Sequence, residues 1–143
     1  MKKKIVITIE EYDEENELKG EKSMDDSRES VSEYARFFDE SCPAWNKSSE
    51  YNLMFLKLQQ QYANDKLKKQ GYLFLNEVYD LLGIPRSRAG AVVGWVYDKD
   101  NPIGENSVDF DLFADRNHNF INGYERKVLL DFNVDGCIFD KLP

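Results

Sequence analysis

Aspartate is the residue type in this sequence best placed to do chemistry, and it recurs at alternating positions in the C-terminal third. Asp109 and Asp111 alternate with apolar residues, Asp131 and Asp135 lie in a second alternating run, and Asp98 precedes both. Carboxylates held close together can act as acid and base or bind divalent metal ions. Alternation also explains them as the solvent-facing side of strands. A metal-dependent hydrolase or nuclease that uses these aspartates therefore remains one hypothesis.

Other motifs that carry chemistry are incomplete. Asp131–Gly136 matches the opening of a calcium-binding loop, but the twelfth position, where a bidentate glutamate belongs, is Leu142. His118 is the single histidine of the sequence. The sequence contains no glycine-rich phosphate loop and no Gly-x-Ser-x-Gly motif. We therefore expect a protein that is not an enzyme, with no catalytic residue, no metal and no cofactor.

Acidic residues are concentrated near the start of the chain. The net charge is −8, and residues 10–40 hold thirteen acidic residues against four basic ones. Acidic side chains that mimic phosphates would be drawn to a basic channel on a partner. A solvated linker is the plainer explanation of such a charge run. The candidate partner-binding acids are Asp13, Glu14, Glu15, Glu17, Asp25, Asp26, Asp98, Asp100, Glu105, Asp109 and Asp111.

The elements that must position these residues indicate an α+β fold in a single domain spanning residues 1–143. We predict a strand over residues 4–10, a mobile acidic linker over 11–29, a helical part over 30–93 and a sheet part over 94–143. Alternating apolar residues predict one small antiparallel sheet, which the strand over 4–10 could join and which packs on the helical layer. Its strands are Trp95–Asp98, Val108–Phe113 and Val128–Val134.

One long helix dominates the helical part. Ser48 or Ser49 is its expected N-cap and Gly71 its stop. Two apolar stripes lie on roughly opposite sides of this helix. A central core helix covered on both sides explains them, and a homodimer through residues 49–69 is the second explanation. The first stripe is Tyr51, Met54, Phe55, Leu58 and Tyr62, and the second is Leu53, Leu56, Ala63 and Leu67.

Shorter helices are expected on either side of the long one. Apolar spacing predicts a helix over Ser30–Glu40, and Asn76 is the expected N-cap of a helix that ends at Gly83. A second helix and a hairpin then follow, which is the order of a winged helix-turn-helix. Residues 89–93 read Ala-Gly-Ala-Val-Val, which offers nothing to contact base edges. Direct DNA binding is therefore disfavoured.

The chain from Tyr34 onward resembles a family of uncharacterised phage and prophage proteins. The matching segments are YARFFDE, EYNLMFLKLQQQYANDKL, FLNEVYDLLGIPRSRAGAVVGWVYD, NPIGENSVDFDLF and NGYERKVLLDFNVDG. The family has no assigned catalytic residues, so the resemblance implies none here. It implies a phage-borne protein that works in the bacterial cytoplasm or is built into a particle.

Together these features favour a non-enzymatic phage protein that binds another macromolecule. The specific expectation is an inhibitor of a host nucleic-acid-handling defence protein, such as a CRISPR effector nuclease. A virion or assembly component is the alternative. No apolar run approaches the roughly 20 residues of a membrane span, and two cysteines are too few for a disulfide framework. We therefore expect a location in the host cytoplasm and no membrane partner.

Overall fold

The computed structural model describes residues 30–142 and confirms the α+β class. The strand predicted over residues 4–10 and the linker predicted over 11–29 lie outside this range. The helices are α1 (Ser49–Gln70), α2 (Leu75–Leu82) and α3 (His118–Ile121). The strands are β1 (Arg36–Phe38), β2 (Tyr72–Phe74), β3 (Val93–Val96), β4 (Val128–Leu130) and β5 (Gly136–Cys137).

These strands form two small antiparallel sheets, so the expectation of one C-terminal sheet is wrong. β1 pairs with β4, with Phe37 opposite Leu129. β3 is the middle strand of the second sheet, between β2 and β5. Gly94 lies in that middle strand, where an added Cβ would collide with the Leu73 carbonyl oxygen of β2. Close approach of the two backbones therefore requires glycine at this position.

Residues 108–113 do not form the predicted strand, but the side chains that were expected to be buried are buried. Val108, Phe110 and Leu112 are buried, whereas the two intervening aspartates are exposed. Its backbone bonds to side chains of α1 where a strand would bond to a neighbouring strand. The Phe110 N–H, for example, donates to Gln60 Oε1 at 2.8 Å. The predicted strand over Val128–Val134 is also shorter, and ends at Leu130.

Asparagine side chains replace strand pairing at several places in this fold. An asparagine amide has one acceptor and one donor group that can bond the N–H and C=O of a single distant residue, as a neighbouring strand would. Buried backbone groups in irregular segments are satisfied in this way. Five such pairs occur within residues 30–142: Asn52 with Asn46, Asn64 with Val108, Asn76 with Ser87, Asn106 with Asp98, and Asn117 with Leu129.

Asn76 shows how this device changes local structure. It was the expected N-cap of its helix, but α2 begins at Leu75 and the Asn76 side chain holds Ser87 instead. The Phe74 N–H at the helix start donates to the Glu77 carboxylate at 2.9 Å. This half of a capping box satisfies one of the N–H groups that the first turn leaves free.

The helix predicted over Ser30–Glu40 is wrong, since this segment contains a turn followed by β1. The Ala35 N–H donates to the Ser32 carbonyl, and the Tyr34 N–H donates to Ser32 Oγ. Ser32 also bonds to Asp131 across the fold. A serine that bonds its own backbone in this way competes with helix formation.

Helix α1 begins and ends as predicted. Ser48 Oγ accepts from the Tyr51 N–H at 3.1 Å, and Gly71 has the left-handed φ of 87° that ends the helix. One side of the helix packs on the core through Leu56, Ala63 and Leu67, which are fully buried. The expectation that the rest of the domain covers both sides is wrong, because most of the first stripe is exposed in the described chain; cover by a second copy stays a prediction.

The core lies between α1 and the two sheets. Tyr79 and Phe110 both make edge-to-face contacts with Phe132, at centroid distances of 5.6 and 5.5 Å. Trp95 and Tyr79 are the largest fully buried side chains. Burial of each such side chain stabilises the fold by about 1.5–3 kcal/mol. Across residues 30–142, no helix combines the length and the hydropathy that a membrane span requires.

Candidate functional site

The predicted partner-binding acids divide into three groups. Six of them, Asp13, Glu14, Glu15, Glu17, Asp25 and Asp26, lie outside the described residues. Glu105, Asp109 and Asp111 line one groove. Asp98 and Asp100 are not among the groove residues, and Asp98 instead organises the following turn by accepting from the N–H groups of Asp100 and Asn101.

The groove is open and about 610 Å³ in volume. Its walls are the segment before β1, the loop over residues 105–111 and the segment over residues 131–136. No lysine or arginine occurs among the described residues that line it. Its six acidic residues are Glu33, Glu105, Asp109, Asp111, Asp131 and Asp135. A concave surface lined by one sign of charge focuses its potential outward and attracts the opposite charge.

Asp131 forms the floor of this groove, which corrects its expected place on a wet sheet face. It is only 9% exposed. Its carboxylate accepts from the Ser32 N–H at 2.9 Å, from Ser32 Oγ at 2.6 Å and from the Phe132 N–H at 2.9 Å. A buried carboxylate is tolerated when several donors satisfy it. Asp131 therefore holds the segment before β1 against the segment after β4.

Asn133 ties the two long walls of the groove together through four hydrogen bonds. Its Oδ1 accepts from Trp95 Nε1 at 2.9 Å and from the Asp109 N–H at 2.8 Å. Its Nδ2 donates to Glu105 Oε1 at 2.7 Å and to the Ser107 carbonyl at 2.9 Å. One amide thus uses its full bonding capacity. The position of Glu105 at the rim depends on it.

Asp109 and Asp111 are held by local bonds on the opposite wall. Asp109 Oδ1 accepts from the Asp111 N–H at 2.8 Å. Asp111 has a φ of 58°, a left-handed conformation that aspartate tolerates better than most residues. Arg116 donates to Asp111 Oδ2 at 3.1 Å and to the Leu129 carbonyl at 3.3 Å. Bonds within the protein therefore hold both carboxylates in place.

Asp135 lies at the end of the groove where the loop over residues 99–106 closes. The pKa of its carboxyl group is raised, chiefly by burial and further by the nearby Glu105 charge. The hydrogen bond from the Val96 N–H at 2.9 Å acts in the opposite direction and lowers this pKa. An added Cβ at Gly104 would collide with Asp135 Oδ1. The loop can therefore pass over this carboxylate only with glycine at position 104.

The rim near β1 carries an acid that the sequence did not single out. Glu33 lies in the groove beside Tyr34. Burial, and then the Glu33 charge and hydrogen bond, raise the pKa of the Tyr34 phenol. Glu33 reaches the groove because β1 pairs with β4, a contact between residues ninety or more positions apart. No local pattern could have placed it there.

Asp131 and Asp135 were considered from sequence only as carboxylates for metal or acid–base chemistry. Both lie two positions from Asn133, one on each side, and this spacing was the available indication that they share a surface.

Most of the groove carboxylates accept hydrogen bonds from the protein itself. Within residues 30–142, no three histidine, cysteine, aspartate or glutamate side chains are grouped so that they could hold a metal ion. The arrangement is suited to binding positively charged groups by ion pairs.

The lone histidine lies away from these acids. His118 begins α3, and its Nε2 lies 3.0 Å from Asn122 Nδ2 on the surface. It is not among the residues that line the groove. Within residues 30–142, no hydrogen bond or ion pair joins His118 to a carboxylate or thiol that could orient it for acid–base catalysis.

Comparison with known proteins gives a family but no characterised relative. A family model described as a family of unknown function (DUF6353) matches residues 2–142. No curated protein and no solved structure matches the chain. The matched range includes the whole acidic groove and helix α1.

Proposed function

We propose a binding function for this chain, which belongs to the family of unknown function DUF6353. In this proposal it is a phage-encoded, non-enzymatic protein that inhibits a host nucleic-acid-handling defence protein, such as a CRISPR effector nuclease. The partner surface is a basic channel that normally holds nucleic acid. The phage origin and the site of action in the host cytoplasm are supported by the resemblance of the segments after Tyr34 to phage and prophage proteins.

The acidic groove is the observation that carries the proposal. Six carboxylates share a space of about 610 Å³ without a lysine or arginine among the described residues that line it. This volume falls in the range of roughly 300–1,000 Å³ that ligand sites occupy. Lysine or arginine side chains that project from a basic channel would enter it and form ion pairs with the rim carboxylates.

Carboxylates that are already held in place favour such binding, because their side chains need little further ordering when a partner associates. Glu105 is held by Asn133, and Asp109 is held by the Asp111 N–H. Side chains that are already immobile lose little conformational entropy when a partner binds. The acids at positions 13–17 and at 25 and 26 would add long-range attraction, which accelerates encounter with a basic partner.

The first experiment is a pull-down from a host lysate that contains nucleic-acid-binding defence proteins, followed by affinity measurements at increasing salt. The triple variant Glu105→Gln, Asp109→Asn, Asp111→Asn keeps the shape and most acceptor oxygens of the groove while removing three charges. We expect at least a tenfold loss of affinity, because each partly buried ion pair contributes on the order of 1 kcal/mol.

A matched control removes the same charge elsewhere. Glu40, Glu125 and Asp140 are exposed and do not line the groove, so Glu40→Gln, Glu125→Gln, Asp140→Asn should bind almost as the natural protein does. Equal losses for both triple variants would show that only net charge matters. Binding that does not weaken as ionic strength rises would contradict the electrostatic mechanism.

A virion or assembly component is the second candidate, and one observation favours it. Most of the first apolar stripe of α1 is exposed, as a subunit that packs into a particle would require. Purified phage particles should then contain the protein. Its presence in particles at a fixed copy number, without affinity for any nucleic-acid-binding host protein, would support assembly over inhibition.

A further inference from the structure

Helix α1 carries a row of large apolar side chains that the described chain leaves uncovered. Tyr51, Met54, Leu58 and Tyr62 are 48%, 67%, 47% and 53% exposed, respectively. We call these four residues the exposed stripe. They follow one another at intervals of three, four and four residues, so they stay on one side of a straight helix over three turns. None of them lines the acidic groove.

The order of residues in the exposed stripe is nearly the same from either end. Tyrosine stands at both ends, and methionine and leucine stand between them. In an antiparallel two-fold pair of helices, residue i of one copy contacts residue j of the other and residue j contacts residue i, so a row that reads nearly the same from either end brings similar side chains together. An antiparallel arrangement places Tyr51 level with Tyr62 of the second copy and Met54 level with Leu58 of the second copy.

Charges next to the exposed stripe favour this antiparallel arrangement. Lys47 lies one residue before the N-cap of α1, and Asp65 lies within the helix; both are exposed. When the same register is continued past the start of the helix, Asp65 of each copy comes level with Lys47 of the other. A parallel pair would instead bring each charged residue level with its own counterpart and align the two helix dipoles. Like charges that face one another are destabilising, and antiparallel dipoles are the more favourable arrangement.

The available area is enough for a reversible association. From their exposed fractions, the four side chains offer on the order of 400 Å² per copy. Phe113 is 63% exposed and lies beside Lys57 of α1, with the ammonium 6.0 Å from the ring centroid, so it extends the apolar surface. The total approaches the roughly 1,000 Å² that a specific interface needs.

We propose that the exposed stripe is the interface of an antiparallel homodimer in which helix α1 of one copy packs on helix α1 of the other. The acidic groove plays no part in this contact. The groove could therefore bind a basic partner whether or not the chain dimerises, and each proposal can fail without the other.

Sedimentation of the full chain over a range of concentrations tests this dimer. For an interface of this size we expect a dissociation constant on the order of 10 μM. Leu58→Glu should abolish the dimer, while Ile103→Glu should leave it unchanged, because Ile103 is about equally exposed at 46% but lies in the loop over residues 99–106 and not on α1. A chain that stays monomeric at ten times that concentration, or a dimer that Leu58→Glu does not weaken, overturns the proposal.

Cysteine pairing tests the direction of the helices without a charged substitution in the interface. Single variants Tyr51→Cys and Tyr62→Cys are made with Cys137→Ser, because Cys137 is exposed. The antiparallel dimer predicts that a mixture of the two variants forms disulfide-linked dimers faster than either variant alone. Faster linking of each variant with itself would mean a parallel pair and would overturn the arrangement.

The charge-reversed double variant Lys47→Asp, Asp65→Lys should dimerise better than either single reversal.

Discussion

Replacement of Asn133 by alanine tests whether one side chain joins the groove walls to the core. The variant removes the acceptor of the Trp95 indole N–H and of the Asp109 N–H, and the donor to Glu105 and Ser107. Trp95 is fully buried, so its N–H would be left without an acceptor in an apolar surrounding. The Asp109 N–H and the Glu105 carboxylate are near solvent and can bond to water instead.

The magnitude follows from this difference between buried and exposed partners. An unsatisfied buried donor costs about 1–3 kcal/mol, and groups that regain water cost little. We therefore expect Asn133→Ala to lower the free energy of unfolding by about 2 kcal/mol, which corresponds to a fall in Tm of roughly 6–10 °C for a domain of this size. Urea unfolding followed by tryptophan fluorescence measures it.

Two further variants make the result specific. Asn122→Ala removes an exposed asparagine whose side chain hydrogen-bonds only to His118 in the described chain, and should change the free energy of unfolding by less than about 0.5 kcal/mol. Asn133→Asp keeps both acceptor bonds but places a carboxylate beside Glu105, so its loss of stability should shrink as the pH falls from neutral. An Asn133→Ala protein as stable as the Asn122→Ala protein would refute the reasoning.

Two other substitutions test buried ionisable groups. Tyr79→Phe removes the hydroxyl that donates to the Tyr34 carbonyl at 2.8 Å, and should cost about 1–2 kcal/mol in urea unfolding. Because burial raises the pKa of Tyr79 to about 12, the natural protein should lose stability as the pH rises from 10 toward 12, and the variant should lose less. Asp135→Asn keeps an acceptor for the Val96 N–H. Since burial raises the pKa of Asp135, the natural protein gains stability from this group as the pH falls through its folded pKa toward the ordinary aspartate value, and the variant's Tm should lack that gain. A Tm that depends equally on pH in both proteins would contradict the assignment.

Local sequence patterns predicted the features that depend on neighbouring residues. The bounds of α1 follow from a serine that caps its own helix and a glycine that adopts a left-handed conformation, and both are readable within a few positions. The alternation in residues 108–112 predicted which side chains are buried. It could not show that Gln60 and Asn64, 44 to 50 residues earlier, would take the place of a neighbouring strand.

The candidate site depends on such distant contacts throughout. Glu105, Asp109 and Asp111 were chosen as exposed acids in a single stretch of sequence, and the structure brings them together with three more. Glu33 arrives through the pairing of β1 with β4, in a segment for which a helix was predicted. Asp131 was expected to face water because the alternation was counted from a strand that in fact ends at Leu130.

The wrong strand and the groove have a common physical cause. Had residues 108–113 paired with residues 128–134 along their whole length, ladder bonds would have filled the space between them. Instead only the Asp131 N–H donates directly across, to the Phe110 carbonyl at 3.1 Å, and beyond it the walls separate and are bridged by Asn133. Side-chain amides satisfy the backbone groups that a ladder would have paired. The segments are joined without closing on one another, and their carboxylates therefore line an open groove.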